Sequence, residues 1–113
     1  MGDGFEAKVS TVGEDVLVSM TGTVNRLAKE GLDAAYEEAS SQPGRVLLDF
    51  GAVDYINSTG IAVIVGVLAR ARAEEREVVA FGLTDHYREV FQITRLADFM
   101  TIYDDQNAAV AAG

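Results

Sequence analysis

The chain has no cysteine, so it offers neither a disulfide framework nor a thiolate metal site, as fits a reducing compartment such as the cytoplasm. It has one histidine, His86, and without a second imidazole or a thiol nothing in the pattern supports metal binding. Cations are scarce: 9 Lys and Arg stand against 18 Asp and Glu, a formal net charge of −9. That surface would repel phosphate backbones, which argues against nucleic acid, and it would steer encounter with a basic protein face. Solubility alone is the other reading of the same charge. No basic segment followed by an apolar one opens the chain, so no signal peptide is expected. The longest apolar run, residues 61–69, is interrupted by Gly66 and ended by Arg70. It falls far short of the roughly 20 residues a membrane span needs, so direct membrane insertion is not expected. Gly60 and Gly66 do not fit a phosphate-cradling loop, and no Gly-Lys-Ser or Gly-Lys-Thr follows either.

What is present reads as one ordinary domain. The 113 residues are 49% apolar and 24% charged, enough for one core without staples. Residues 1–4 read as a frayed start. Residues 5–9 alternate apolar and polar, as a half-buried strand does. A turn over residues 12–15 leads to a second strand at 16–20, and Asn25 then stands as the N-cap of a helix beginning at Arg26. Ala28, Leu32, Ala35 and Ala39, with Tyr36 beside them, fall on one face of that helix, which should stop near Ser40-Ser41-Gln42-Pro43-Gly44. Residues 45–50 predict a buried strand. A helix from about residue 58 follows, with Ile61, Ile64, Val65 and Leu68 as its apolar stripe and Val63 and Val67 as a second apolar flank. Residues 78–81 predict a further strand. Thr84 or Asp85 should cap a third helix with Tyr87, Val90, Phe91 and Thr94 as its apolar positions, and Leu96 and Phe99 anchor the turn beyond it. Residues 100–103 predict a last strand, and 104–113 an Ala-rich tail, either a short helix or frayed. The order β-β-α-β-α-β-α-β makes the fold α/β with a mainly parallel sheet; the domain is residues 1–113, with its core at about 5–103.

The chemistry gathers at Asp54-Tyr55-Ile56-Asn57-Ser58-Thr59-Gly60-Ile61, between the central strand and the long apolar helix. The first N–H groups of a helix lack internal partners and the dipole is positive there. A serine at that point is either a simple N-cap or a phosphoacceptor whose phosphate would meet those groups. From the residues alone both readings stand for Ser58. A nucleophilic serine is disfavoured, because the elbow motif needs Gly two positions earlier and Ile56 is there. Asp49, Asp54, Asp104 and Asp105 are scattered, as solvated carboxylates are. No catalytic residue, metal or cofactor is expected, and the chain is not read as an enzyme.

The same residues, Tyr55-Ile56-Asn57-Ser58-Thr59-Gly60-Ile61 preceded by Val46-Leu47-Leu48-Asp49-Phe50, resemble the STAS domain of bacterial anti-sigma-factor antagonists. Gly22-Thr23-Val24-Asn25 is similar to that family's Gly-x-apolar-Asp, and Val90-Phe91-Gln92-Ile93-Thr94-Arg95-Leu96 with Phe99 and Ile102-Tyr103 to its closing segment. The resemblance implies a mixed sheet of four or five strands with helices mainly on one face. It implies partner switching: the unmodified domain sequesters an anti-sigma factor that is also a serine kinase, and phosphorylation of the motif serine, here Ser58, ends that binding. Thr59 is the second-choice acceptor. Asn25, Asn57, Ser58, Thr59, Gly60 and Ile61 are the partner-binding positions it implies, with the kinase supplying ATP and magnesium. A soluble STAS subunit of a lipid-type ABC transporter and a ligand-sensing STAS module are the competing functions, and monomer and homodimer both stay open. Two positions depart from the pattern: Asn57 and Asn25 stand where the family commonly has Asp. Both keep size and hydrogen-bonding capacity while removing a carboxylate, which lowers the repulsion a phosphate would feel.

Overall fold

The computed structural model describes residues 4–113, so of the expected frayed start only Gly4 falls among the described residues. Five strands form one sheet in chain order, β1 (Glu6–Val12), β2 (Asp15–Val24), β3 (Val46–Ile56), β4 (Val78–Phe81) and β5 (Thr101–Tyr103). Strand β1 runs antiparallel to β2 through a two-residue turn at Gly13-Glu14, and the remaining pairs are parallel. The mixed α/β sheet is the one the sequence leads one to expect.

Its central strand is longer than expected. Strand β3 does not stop at Phe50 but continues to Ile56, pairing Val53 with Gly22 and Ile56 with Val24 across two irregularities in register. Gly51 and Asp54 within it are poor strand formers, so the local pattern ends at Phe50 while pairing with β2 carries the strand on. Residues Asp54, Tyr55 and Ile56 are therefore strand, not crossing. Strand β4 pairs only with Val46 to Asp49, so β3 overruns it by the whole stretch from Phe50 to Ile56.

Three helices, α1 (Lys29–Ser40), α2 (Ser58–Ala73) and α3 (Asp85–Ile93), cover one face of the sheet. A single 3-10 turn, Arg26–Ala28, precedes α1, so the helix expected at Arg26 starts with a tighter winding. The side of α2 that packs inward is Val63, Ile64, Val67, Leu68 and Ala71. The core face thus joins Ile64 and Leu68 of the expected stripe with the expected flank, Val63 and Val67, while Val65 of the stripe is 46% exposed. Phe91 of α3 meets Phe50 edge-on, with ring centroids 5.6 Å apart, a geometry worth about 1 kcal/mol beyond area. Leu96 is buried as an anchor should be, but Phe99 is 52% exposed, with the Arg72 guanidinium 5.3 Å from its ring centre. The Ala-rich tail forms a short helix, α4 (Gln106–Ala111), on the opposite face, where Ala109 meets Leu17, Leu47, Val79 and Phe81. No helix among the described residues is long and apolar enough to cross a membrane.

Two polar ties hold this frame. The Tyr36 hydroxyl of α1 donates to Glu74 at 2.9 Å, while Arg70 of α2 lies over the Tyr36 ring and pairs with both Glu37 and Glu74. Burial, reinforced by Glu74, pushes the Tyr36 hydroxyl up to about 12. At the same end of the sheet, where β2 and β3 begin, Asp15 takes the Arg45 backbone N–H at 3.0 Å and its guanidinium at 2.8 Å, with only 15% and 11% of the two side chains exposed. The hydrogen bonds from Arg45 hold the Asp15 carboxyl below the usual carboxylate range, against the opposing effect of burial.

Two glycines of α2 give opposite expectations. A Cβ on Gly60 would collide with the Val24 carbonyl oxygen, whereas a Cβ on Gly66 meets nothing within 4 Å. In urea denaturation Gly60→Ala should lose about 2–3 kcal/mol through overpacking. Gly66→Ala should gain about 0.5–1 kcal/mol from helix propensity.

The Asp15 tie sets a pH dependence. A carboxyl whose folded pKa is depressed contributes stability above its unfolded value, about 3.9, and loses it as pH falls through the folded value. Asp15→Asn should therefore cost about 2 kcal/mol at pH 7, the scale of a charge-assisted hydrogen bond. In thermal unfolding across pH 2 to 7 the gap from the unsubstituted chain should close as pH falls below about 4.

Candidate functional site

The C-terminal ends of β2 and β3 lie side by side, and each hands the chain to a helical segment through an asparagine. Asn25 is extended, and its Oδ1 accepts the Leu27 N–H at 2.9 Å, capping the 3-10 turn. Asn57 is also extended, and its Oδ1 accepts the Gly60 N–H at 2.8 Å, capping α2. The two junctions are joined through one atom. The Val24 carbonyl oxygen accepts the Asn57 N–H at 3.2 Å and also lies against Gly60, leaving no room there for a side chain.

Asn57, not Ser58, is thus the cap of α2, which removes the simplest structural role for Ser58. Ser58 is the first residue of the helix, exposed, and its hydroxyl takes no part in the cap. Thr59 is exposed as well, but its hydroxyl donates to Asn57 Oδ1 at 2.8 Å. Of two adjacent hydroxyls, one is committed to the cap and the other is free. That difference has a chemical meaning: a group added at Thr59 would take a donor from Asn57, and one added at Ser58 would not.

The six positions singled out in the sequence do come together, in unequal roles. Asn25 and Asn57 are half-buried, Ser58 and Thr59 are exposed, Gly60 is buried and Ile61 is half-buried against the core. Gly60 therefore shapes the site without presenting a surface. From Ser58 to Ala69 helix α2 carries no charged residue, and Ser58, Ala62, Val65 and Ala69 stand exposed at helical spacing on one face. Leu27, beside Asn25, is 74% exposed, and Tyr55, at the end of β3, is 55% exposed. Leu27, Tyr55 and Val65 are thus large apolar side chains left in solvent.

Two residues were not marked as part of this region by the sequence. Leu27 lies off the Ala28, Leu32, Ala35, Ala39 face, and that misfit is the one signal that could have found it. Tyr87 looked like an ordinary apolar position of α3. Its hydroxyl in fact accepts the Ile56 N–H at 3.0 Å, at the last residue of β3. His86 is exposed and edge-on to Tyr87, 4.8 Å between ring centres. No group of three or more His, Asp or Glu side chains able to hold a metal ion occurs among the described residues.

Residues 7–102 match the family model described as Mlab, STAS domain. The sequence is 33% identical over 98 residues to a putative anti-sigma factor antagonist, BtrV, of Bordetella bronchiseptica, covering 86% of this chain and 84% of that one. In fold it is similar to an anti-sigma factor antagonist from Mycobacterium paratuberculosis, with TM-score 0.79, 19% identity, and 99% and 96% of the two chains covered. It is likewise similar to the Bacillus cell fate determinant SpoIIAA solved in its phosphorylated form, with TM-score 0.69, 18% identity, and 95% and 99% covered.

The cap assignment has a direct check. Asn57→Ala should cost about 1 kcal/mol in chemical denaturation, the usual price of a lost N-cap. Ser58→Ala should stay within about 0.5 kcal/mol of the unsubstituted chain, as an exposed non-cap position does.

Proposed function

The chain belongs to the STAS-domain family, and from that premise we propose that it is an anti-sigma-factor antagonist, a protein-binding regulator that sequesters an anti-sigma factor with serine-kinase activity and lets it go when Ser58 is phosphorylated. The observation that carries the reading is the free, exposed Ser58 hydroxyl at the head of an uncharged, apolar helix face. A phosphate brings roughly −1.5 to −2 charges. On a helix face without other charge it would have to be desolvated in any close-packed complex, a cost that works against binding. The relatives support the direction of the argument: BtrV is described as an anti-sigma factor antagonist, and SpoIIAA has been solved with its phosphate.

Phosphorylation at this position is compatible with the fold. The group would sit at the first residue of α2, where the dipole favours negative charge, and the neighbouring Asn57 and Asn25 add no repulsion. Thr59 is the weaker acceptor because its hydroxyl is bound to Asn57. The chain's excess of acid would favour a partner with a basic face, and such charge complementarity accelerates encounter more than it holds a complex.

The test is affinity capture from the source organism with the unsubstituted protein and Ser58→Asp side by side. An anti-sigma factor of the kinase type should be retained by the first, and its binding should fall at least about tenfold with the second, or about 1.4 kcal/mol. Incubation of the captured kinase with ATP should add one phosphate, located at Ser58 by mass spectrometry. Transporter ATPase subunits in place of an anti-sigma factor would overturn the reading, and a phosphate confined to Thr59 would overturn the choice of acceptor.

A further inference from the structure

Strand β3 reaches the candidate site without a neighbour on one side. Strand β4 accompanies it only as far as Asp49, so on the β4 side the stretch from Phe50 to Ile56 has no strand to bond to. On the other side β2 follows it to the end, and the Val24 carbonyl oxygen takes the Asn57 N–H just beyond. A strand end paired on one edge alone frays readily, because opening it breaks few bonds and exposes little apolar surface. Here the fraying would occur one residue before the cap of α2 and two before Ser58.

Tyr87 occupies the open side. It lies in the first turn of α3, on a backbone fixed by the Thr84 cap, whose side chain accepts the Tyr87 N–H at 3.3 Å. The ring is half-buried and packs against the main core, while the hydroxyl accepts the Ile56 N–H at 3.0 Å. Helix α3 is itself anchored further along, where Arg88 pairs with Asp104 at 2.5 Å and Phe91 is fully buried against Phe50. Tyr87 thus does with a side chain what β4 would have done with a carbonyl. Phenylalanine would supply the packing but not the acceptor, so the hydroxyl is the part of the residue that a core role leaves unexplained.

We infer that Tyr87 is a positioning residue for Ser58: its hydroxyl holds the end of β3 from the α3 side, opposite the Val24 clamp, and so fixes the Ile56-Asn57-Ser58 segment in the form a partner or kinase recognises. The inference rests on Ser58 being the recognised residue. It adds that part of the recognition is set by a helix that carries none of the six positions named from the sequence.

The experiment is Tyr87→Phe, with Val110→Ala on the far side of the sheet as a control for stability alone. Amide exchange followed by NMR on the free protein is read first. Exchange at Ile56 should quicken about three- to tenfold in Tyr87→Phe, the range expected for one lost hydrogen bond, and Ser58 should shift its resonance, while the control leaves both unchanged. Binding to the anti-sigma factor kinase, and its KM for this chain as substrate, should then weaken about threefold or more in Tyr87→Phe and not in the control. Unchanged exchange at Ile56 would overturn the positioning role, as would binding equal to that of the control. Quickened exchange in Tyr87→Phe, together with an unsubstituted chain that neither binds the kinase nor accepts phosphate, would instead overturn the proposed function and leave only the local clamp.

Discussion

The Val24 carbonyl oxygen is the point on which the candidate site depends. It ends β2, accepts the Asn57 N–H that ends β3, and lies so close to Gly60 that only a hydrogen fits between them. One acceptor thereby sets the separation of two strands and the depth at which α2 enters the fold. Each residue around it follows from that constraint. Gly60 has to lack a side chain, Asn57 has to be extended to turn its Oδ1 back onto the helix, and Ser58 is then carried outward as the first helical residue. Moving the helix to relieve Gly60 would break the cap and the strand pairing together.

Around that point the polar work is divided among different groups. The two asparagines use their oxygens to hold helical starts, Thr59 reinforces one of them, and Ser58 is left with nothing to hold. The α2 face carries no charge before Arg70, and the Arg70 ion pairs and the raised Tyr36 lie toward the far half of α1 and α2. In a chain of net charge −9 this uncharged region stands out from its surroundings.

Much of the fold could be read from residue patterns because the signals were short-range. The apolar runs Val16-Leu17-Val18, Val46-Leu47-Leu48 and Val78-Val79-Ala80-Phe81 announce buried strands, and the Asn25 and Thr84 caps sit where short polar residues precede apolar periodicity. What escaped was set by partners distant in sequence. Strand β3 beyond Phe50 exists because β2 pairs with it, and no property of Gly51 or Asp54 signals that. The inward side of α2 cannot be chosen by periodicity when apolar residues surround most of its girth, and of the expected stripe it is Val65 that is exposed. Phe99 is out in solvent although a large side chain after a turn reads as an anchor, while Leu96 and Met100 on either side of it in sequence are buried. Asn57 and Ser58 are both capping residue types, and only the β3 register decides between them.

The small helix α4 has a consequence for how the sheet is supported along its length. At the end where Leu17, Leu47 and Val79 lie, the sheet is sandwiched between α4 and the three larger helices. Toward the other end, at Thr21, Ala52 and Tyr55, the α4 side is bare and the strands rest on a single layer. The domain is therefore built like a cantilever, clamped on both faces at one end and supported from one side at the other. Ser58 stands at the free tip. A force applied at that tip would be carried back through β2 and β3 into the doubly clamped end.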